Sequence, residues 1–287
     1  MERDVLSVIS RENSGFSKGQ KRIAKYILEN YDKAAFMTAG RLGKTVGVSE
    51  STVVRFAADL GYDGYPGMRK ALQDMIRNRL TSIQRIEVSK AALSGDNVVK
   101  AVLSSDIEKL QITLEECSRA NFNAAAEAIL GAKHVYIVGM RSATALASFM
   151  GYYLNLILEN VRIVSDTAVS EVYEQILRVK PGDLIIGISY PRYSHRTVKA
   201  LEYARSRGAR VIAVMDGENS PLVPLSDISL FARSEMVSFL DSLVAPMSLI
   251  NALIVAIGMQ AQEKLEETFN SLEKLWSEYE VYEKNNG

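Results

Sequence analysis

The chain of 287 residues has room for two domains, and 47% apolar with 24% charged residues is the composition of a core-forming globular protein. Formal charge cancels, 34 basic residues against 34 acidic, which excludes a polycation or polyanion overall. The charges are uneven, however: residues 1–80 hold 14 Lys and Arg against 9 Asp and Glu, a net of +5, leaving 20 against 25, or −5, for the remainder. Chance gives such an offset often enough, but if a polyanion is bound, it meets the N-terminal part. Cys117 is the single cysteine, which excludes an internal disulfide and a cysteine-rich zinc site, and neither metal nor cofactor is expected. The opening MERDVLSVIS carries early acids and lacks an apolar run, so no signal peptide is expected. The apolar stretch Leu243–Met259 is broken by Pro246, Ser248 and Asn251 and falls short of the roughly 20 residues a membrane span needs. A cytoplasmic protein without a membrane partner is the expectation.

In chain order, residues 18–30 predict an amphipathic helix, with Ile23, Ile27 and Leu28 on one face and Lys18, Lys21, Arg22 and Lys25 elsewhere. The next stretch, Met37–Ile76, predicts two short helices. Leu42 and Val46 mark the first, Gly47 breaks it, and Ser49 caps the second. In that second helix Val53, Phe56, Ala57 and Leu60 form a core stripe, so Glu50, Ser51, Val54, Arg55 and Ala58 lie opposite, with Thr52 at the edge and Gly61 at the end. Two short helices around a glycine turn, the second presenting small polar residues and an arginine, is the helix-turn-helix pattern. Arg55 suits guanine O6 and N7, and Thr52 suits a phosphate. A plain three-helix packing unit or a protein-binding module fits the same periodicity.

The residues LGKTVGVSESTVVRFAADLGYDGYPGMRKAL resemble the N-terminal domain of RpiR-type bacterial transcription regulators, through V-S-x-x-T-V-x-R-F, then L-G-Y and a following G-Y-x-x-x-R/K helix. The resemblance covers about the first 77 residues and implies binding to a double-stranded DNA operator. The candidate contact set is Lys44, Ser49, Glu50, Ser51, Thr52 and Arg55.

Residues 78–97 predict a linker, with Asp96 capping a helix in which Val99, Val102, Leu103, Ile107, Leu110, Leu114 and Cys117 recur at helical spacing. Cys117 is expected as core or near-core filler, and a short helix Phe122–Leu130 follows. From His134 the period changes: HVYIVG, VRIVS, DLIIGIS, RVIAVMD and DISLFA are five short apolar runs, four of them followed by helical text. That alternation predicts a five-stranded parallel sheet flanked by helices. Its ligand site is expected at the carboxyl ends of the strands, foremost in Asp183–Thr197, DLIIGISYPRYSHRT. Ser142, Ser165-Asp166-Thr167 and Ser220-Pro221, read as N-cap and first helical residue, sit at the other strand ends. No GxGxxG and no GxxxxGK[ST] follows the first strand, which disfavours dinucleotide and nucleotide triphosphate ligands.

About Ala132–Ile257 resembles the SIS (sugar isomerase) domain, through the Gly139/Ser142 turn, Pro181-Gly182-Asp183 before a strand ending in Ser189, a helix starting near Thr197, and D-x-x-x-S-P-L at Asp216–Leu222. The resemblance implies a phosphorylated-sugar effector. Two departures stand out. The common S-x-S-G-x-T loop is here Ser189-Tyr190-Pro191-Arg192-Tyr193-Ser194, and Arg141 stands where glycine often follows the first-strand turn. Paired arginines favour a more anionic sugar derivative, or else pair with Glu171, Asp166 or a partner subunit. The candidate ligand set is Gly139, Arg141, Ser142, Glu171, Ser189, Tyr190, Arg192, Ser194 and Thr197.

The last elements predicted are an apolar helix over Ser242–Gly258 and a heptad-like stripe of Leu265, Phe269, Leu272, Trp276 and Tyr279, docking on its own domain or a second subunit. The expected whole is therefore an all-α DNA-binding domain over 1–77, a linker over 78–97 and an α/β sensing domain over 98–287, in a homodimer or homotetramer. The rival expectation is an aldose–ketose isomerase with a helical appendage, for which Glu171 and His195 are the candidate acid–base groups and His134 lies at the wrong end of its strand.

Overall fold

The structure, a computed structural model, describes residues 5–77, 81, 83–86, 97–165, 169–236 and 239–282. The chain divides into two compact units, 1–96 with 237–240, and 97–236 with 241–287.

The first unit is helical: α1 Val5–Glu12, α2 Lys18–Glu29, α3 Tyr31–Ala34, α4 Ala39–Val46, α5 Glu50–Asp59, α6 Gly64–Arg77 and a helical turn, α7, over 83–86. Side-chain caps explain where three of them start. Ser17 and Gln20 form a reciprocal capping box on α2, Thr38 accepts the Arg41 N–H on α4, and Ser49 accepts the Thr52 N–H on α5. The expected stripes close the core: Ile23 and Ile27 of α2, Leu42 of α4, and Val53, Phe56 and Ala57 of α5 are wholly buried. Phe16 packs edge-on against Phe56 at 5.1 Å between ring centroids. Within the stretch read as a linker, α7 packs on this unit: Arg85 is buried and the Gln84 amide donates to Asp32 at 3.5 Å.

The second unit begins with α8 Val98–Glu116 and α9 Arg119–Leu130, then alternates β1 Val135–Gly139, α10 Ala143–Ile157, β2 Val161–Val164, α11 Val169–Ile176, β3 Leu184–Ile188, α12 His195–Ser206, β4 Arg210–Met215 and β5 Ile228–Phe231. It ends in α13 Val244–Gln260 and α14 Gln262–Glu278. All five strands are parallel, in the order β2-β1-β3-β4-β5. Alternate strand residues feed two cores. Leu184, Ile186 and Ile188 meet α9, α10 and α13 on one face, and Ile185 with Val211 and Ala213 meets α11 and α12 on the other. Burial on both faces is why β1, β3 and β4 are nearly continuous apolar runs rather than alternating ones.

Several expectations are corrected here. The cap of α8 is Asn97, whose Oδ1 accepts the Lys100 N–H at 2.8 Å; Asp96 lies outside the described residues. The apolar stripe of α8 is turned outward: its buried residues are Asp106, Lys109 and Thr113, while Val99, Leu103, Ile107 and Leu114 are exposed. Ser220-Pro221 starts no α-helix; Ser220 Oγ accepts the Leu222 N–H and a 3-10 turn follows at Val223–Leu225. α9 starts before Phe122, at Arg119, because Ser118 caps it, and α12 starts at His195 because Ser194 does. Pro246 falls in the first turn of α13, where its missing N–H costs nothing. α14 has no fully buried residue, and Cys117 is half-buried against the first core as expected. No single described helix is long and apolar enough to cross a membrane.

Candidate functional sites

In the first unit, α4 and α5 are joined by a turn whose geometry is dictated by glycine. Gly47 ends α4 in the left-handed region at φ 71°, and a Cβ at Gly43 would sit 2.8 Å from the Val48 carbonyl oxygen. Beyond the turn, Ser49 Oγ takes the Thr52 N–H at 3.2 Å and lies 2.8 Å from the hydroxyls of Ser51 and Thr52. Ser49 is thereby committed first to the cap. With Val53, Phe56 and Ala57 buried, Glu50, Ser51, Val54, Arg55 and Ala58 face outward, Thr52 is half-buried at the edge, and Lys44 is exposed on α4. Glu50 also packs on α4: its carboxylate lies 3.1 Å from where a Cβ at Gly40 would be.

Two residues outside the expected set join this surface. A Cβ at Gly47 would lie 3.2 Å from Arg22 Nη1, so the Arg22 guanidinium of α2 lies over the turn. Val54, on the outward face, is an aliphatic residue suited to a thymine methyl group. Helical periodicity in α2 marks Arg22 only as solvent-facing; its neighbour is set by how α2 crosses α5, a tertiary matter.

In the second unit the strand order reverses direction at β1 and β3, the topological switch where open α/β sheets leave a crevice at the carboxyl ends. Gly139 and Ile188 end the two strands in register, so residues 140–142 and 189–194 border that crevice. Gly139 itself serves packing: a Cβ there would come within 2.6 Å of the Ala143 carbonyl oxygen and 3.0 Å of Ala147 Cβ, and its own carbonyl accepts the Thr144 hydroxyl at 3.0 Å. The helix start at α10 differs from a simple anion cradle, because the Ala143, Thr144 and Ala145 amides turn back to the carbonyls of Met140, Arg141 and Ser142. Ser142 is exposed and makes no side-chain cap, leaving its hydroxyl facing solvent.

Opposite, Ser189 is buried, its N–H on the Val214 carbonyl and its Oγ accepting the Ser194 N–H at 3.1 Å. Ser194 in turn caps α12 through the Thr197 N–H at 3.4 Å. Thr197 is fully buried with Oγ1 unpartnered, and Tyr190 is buried with its phenol oxygen likewise unpartnered. Burial, then the nearby Asp216 carboxylate and the Tyr193 phenol, push the Tyr190 phenol well above its ordinary pKa, so it stays neutral. The Tyr193 hydroxyl donates to Asp216 Oδ1 at 2.6 Å, tying this loop to the end of β4.

Arg141 and Arg192, the two departures from the SIS pattern, both adopt left-handed backbone, φ 57° and 66°. Both are exposed. Among the described residues no side-chain hydrogen bond or ion pair holds the Arg141 guanidinium. Glu171 is half-buried on α11, and of the neighbouring Ser165-Asp166-Thr167 only Ser165 lies within the described residues, where Gln175 holds it. His195 is exposed at the start of α12. His134 bonds Asp183 at 2.8 Å at the amino ends of β1 and β3, away from the crevice. A cleft of about 400 Å3 lined by Lys133, Asn155, Asn160, Lys264 and Glu267 also lies at that amino end. The carboxyl-end loops carry the convergent hydroxyls, buried polar atoms and guanidinia, which makes them the stronger candidate of the two. Among the described residues no cluster of His, Cys, Asp and Glu could hold a metal ion.

A helix-turn-helix unit followed by a doubly wound sheet with polar strand ends defines a two-domain regulator with a SIS fold. Family models agree: the helix-turn-helix domain of the rpiR family matches residues 3–79, and the SIS domain matches residues 128–256. The chain belongs to the RpiR family of transcription regulators. It is 25% identical over 277 residues to an uncharacterised HTH-type transcriptional regulator of Caldanaerobacter subterraneus, covering 94% of this chain and 95% of the relative. It is 29% identical to the sugar isomerase domain of an RpiR transcription factor from Sphaerobacter thermophilus, with a TM-score of 0.59 over 62% of this chain and 99% of that one. The NanR protein of Vibrio vulnificus, solved in complex with ManNAc-6P, shares the fold at 21% identity and a TM-score of 0.59, covering 95% of this chain and 98% of that one.

Proposed function

We propose that this regulator controls a carbohydrate-metabolism operon in the cytoplasm, with DNA binding by residues 1–77 modulated by a phosphorylated or otherwise anionic sugar held by the 98–287 domain. On the DNA side, α5 enters the major groove, Arg55 donates to a guanine edge, and Lys44, Ser51, Thr52 and Arg22 take phosphates, while Ser49 and Glu50 fix the turn. On the sensing side, Ser142, Ser189 and Ser194 meet ligand hydroxyl or phosphate oxygens and Arg141 and Arg192 carry the charge selection; Glu171, Tyr190 and Thr197 complete the crevice. The observation that carries this reading is the pair of solvent-facing arginines held at left-handed φ on the two loops that border the β1/β3 switch. Non-glycine residues in that region cost roughly 1 kcal/mol or more each, and such strain persists where something offsets it.

The test is calorimetric titration of the full chain with glucose, glucose 6-phosphate, gluconate and 6-phosphogluconate. Phosphorylated compounds are expected to bind, with the phosphorylated acid tightest. Tightest binding to glucose would contradict the reading, and turnover of an aldose phosphate to its ketose would favour the isomerase.

A further inference from the structure

Helix α8 is fastened to its domain by directional bonds. Its buried residues, Asp106, Lys109 and Thr113, are all polar. Ser242 donates to Asp106 Oδ1 at 2.6 Å, Lys109 Nζ lies 3.7 Å from the same oxygen, and the Arg233 N–H donates to Thr113 Oγ1 at 2.9 Å. The Arg233 guanidinium pairs with Glu116 and, at 3.6 Å, with Glu235. Burial pulls the Lys109 ammonium's pKa down, against the opposing pull of Asp106 and Glu235. Arg233, Glu235 and Ser242 all belong to the connection from β5 to α13, which the Ser242 N–H ties together by donating to the Ser234 carbonyl at 3.2 Å. From there contacts lead back to the crevice. The Ala232 N–H donates to the Met215 carbonyl at 2.8 Å, and the next residue, Asp216, accepts the Tyr193 hydroxyl at 2.6 Å. Tyr193 sits beside Arg192 on the loop that borders the β1/β3 switch. Tyr193, Asp216, Met215, Ala232, Arg233 and Thr113 thus form an unbroken path of bonds from the crevice to α8.

We propose that α8 is the output element of the sensing domain, latched through Asp106 and Thr113 to the β5–α13 connection and reset from the crevice by way of Tyr193 and Asp216. The inference rests on the sensing reading above and names how that site is read out. Chain order supplies the direction: α8 is the first element of the second unit, and the chain reaches it from the first. The chemistry of the latch makes it a switch. Hydrogen bonds fail steeply with distance and angle, so a small shift of the connection undoes them. A buried carboxylate and ammonium sharpen this, since their pairing adds little net stability while stranding one of them is strongly unfavourable. Halfway positions of α8 are therefore disfavoured, leaving two arrangements, latched or withdrawn into water. A discrete two-state element of this kind is what coupling between distant sites requires.

The experiment uses the full chain and needs no sugar. It compares wild type, Tyr193→Phe, an unlatched triple variant (Asp106→Leu, Lys109→Met and Thr113→Val), and all four changes together. The Arg233–Glu116 pair left in the unlatched chain is partly exposed and contributes little. Tyr193→Phe keeps the ring and removes the bond to Asp216. It is expected to speed amide hydrogen exchange in residues 98–116 about threefold or more, while residues 119–130 keep the wild-type rate. In the unlatched chain the same change is expected to have no further effect on α8. Affinity for a duplex the wild type has selected, read by fluorescence anisotropy, should follow the same pattern. Unchanged exchange in α8, effects that simply add, or DNA affinity indifferent to Tyr193→Phe would overturn the proposal. The expected exchange pattern in a chain that selects no duplex would support the latch and contradict the DNA-binding reading instead. If the triple variant loses its native circular dichroism spectrum, Thr113→Val alone, which cuts only the Arg233 step, takes its place.

Discussion

At the scale of single residues, Arg141 and Arg192 connect backbone to ligand chemistry most directly. Both stand where the SIS pattern has glycine, and both keep the left-handed conformation glycine favours, so the backbone path is retained and a guanidinium is added to it. Arg141→Gly and Arg192→Gly are each expected to lower affinity for a phosphorylated sugar acid about tenfold or more, since a bond to a charged group is worth ~1.5–3 kcal/mol. For Arg141→Gly the melting temperature should hold or rise slightly, because relief of strain offsets the extra chain freedom of glycine. Unchanged affinity with a lower melting temperature would show a structural role instead. On the DNA side, Arg55→Ala should relax base choice at one operator position by roughly 1–3 kcal/mol, read as the loss of one preferred base in the selected-site profile. The sequence displayed the two unusual arginines but not their φ angles, since residue type argues against that conformation.

At the scale of elements, the helix-turn-helix was legible because its signals are local: Gly47 breaks, Ser49 caps, and Val53, Phe56 and Ala57 mark the inner face. The sheet was legible for a similar reason, as β1 and β3 are buried on both faces and so spelled as short apolar runs. The orientation of α8 was not legible. Periodicity identifies a stripe that needs covering but not which surface covers it, and here Asp106, Lys109 and Thr113 found partners on the domain while the aliphatic residues did not. Two predictions belong at this scale. Gly139→Ala should destabilise the second unit by about 1–3 kcal/mol, because the new methyl group meets α10 backbone that cannot swing aside. Chemical denaturation checks it, and an effect near zero would mean that α10 shifts freely. In the first unit, Tyr65 donates to the Met37 carbonyl at 3.0 Å, and burial pushes its phenol up to about 12. A raised folded-state pKa means that the stabilisation is complete below the unfolded value near 10 and is lost as pH rises toward about 12. Tyr65→Phe should flatten the alkaline fall in stability over that window, and an unaltered slope would assign it to other groups.

At the scale of the whole molecule, an RpiR-family helix-turn-helix unit and a SIS unit lie on one chain, and regulation requires that occupancy of one alter the affinity of the other. A ligand does this only through unequal affinity for two arrangements of the protein, so tight sugar binding alone is not regulation. Reciprocity sharpens the point: DNA must change ligand affinity by the same factor that ligand changes DNA affinity. The most direct test is the affinity of the full chain for a duplex it has itself selected from random sequence, measured by fluorescence anisotropy with and without saturating 6-phosphogluconate. The expected result is a change of about fivefold or more, in either direction, the usual range of such couplings. Identical affinity with the ligand demonstrably bound would contradict the central claim.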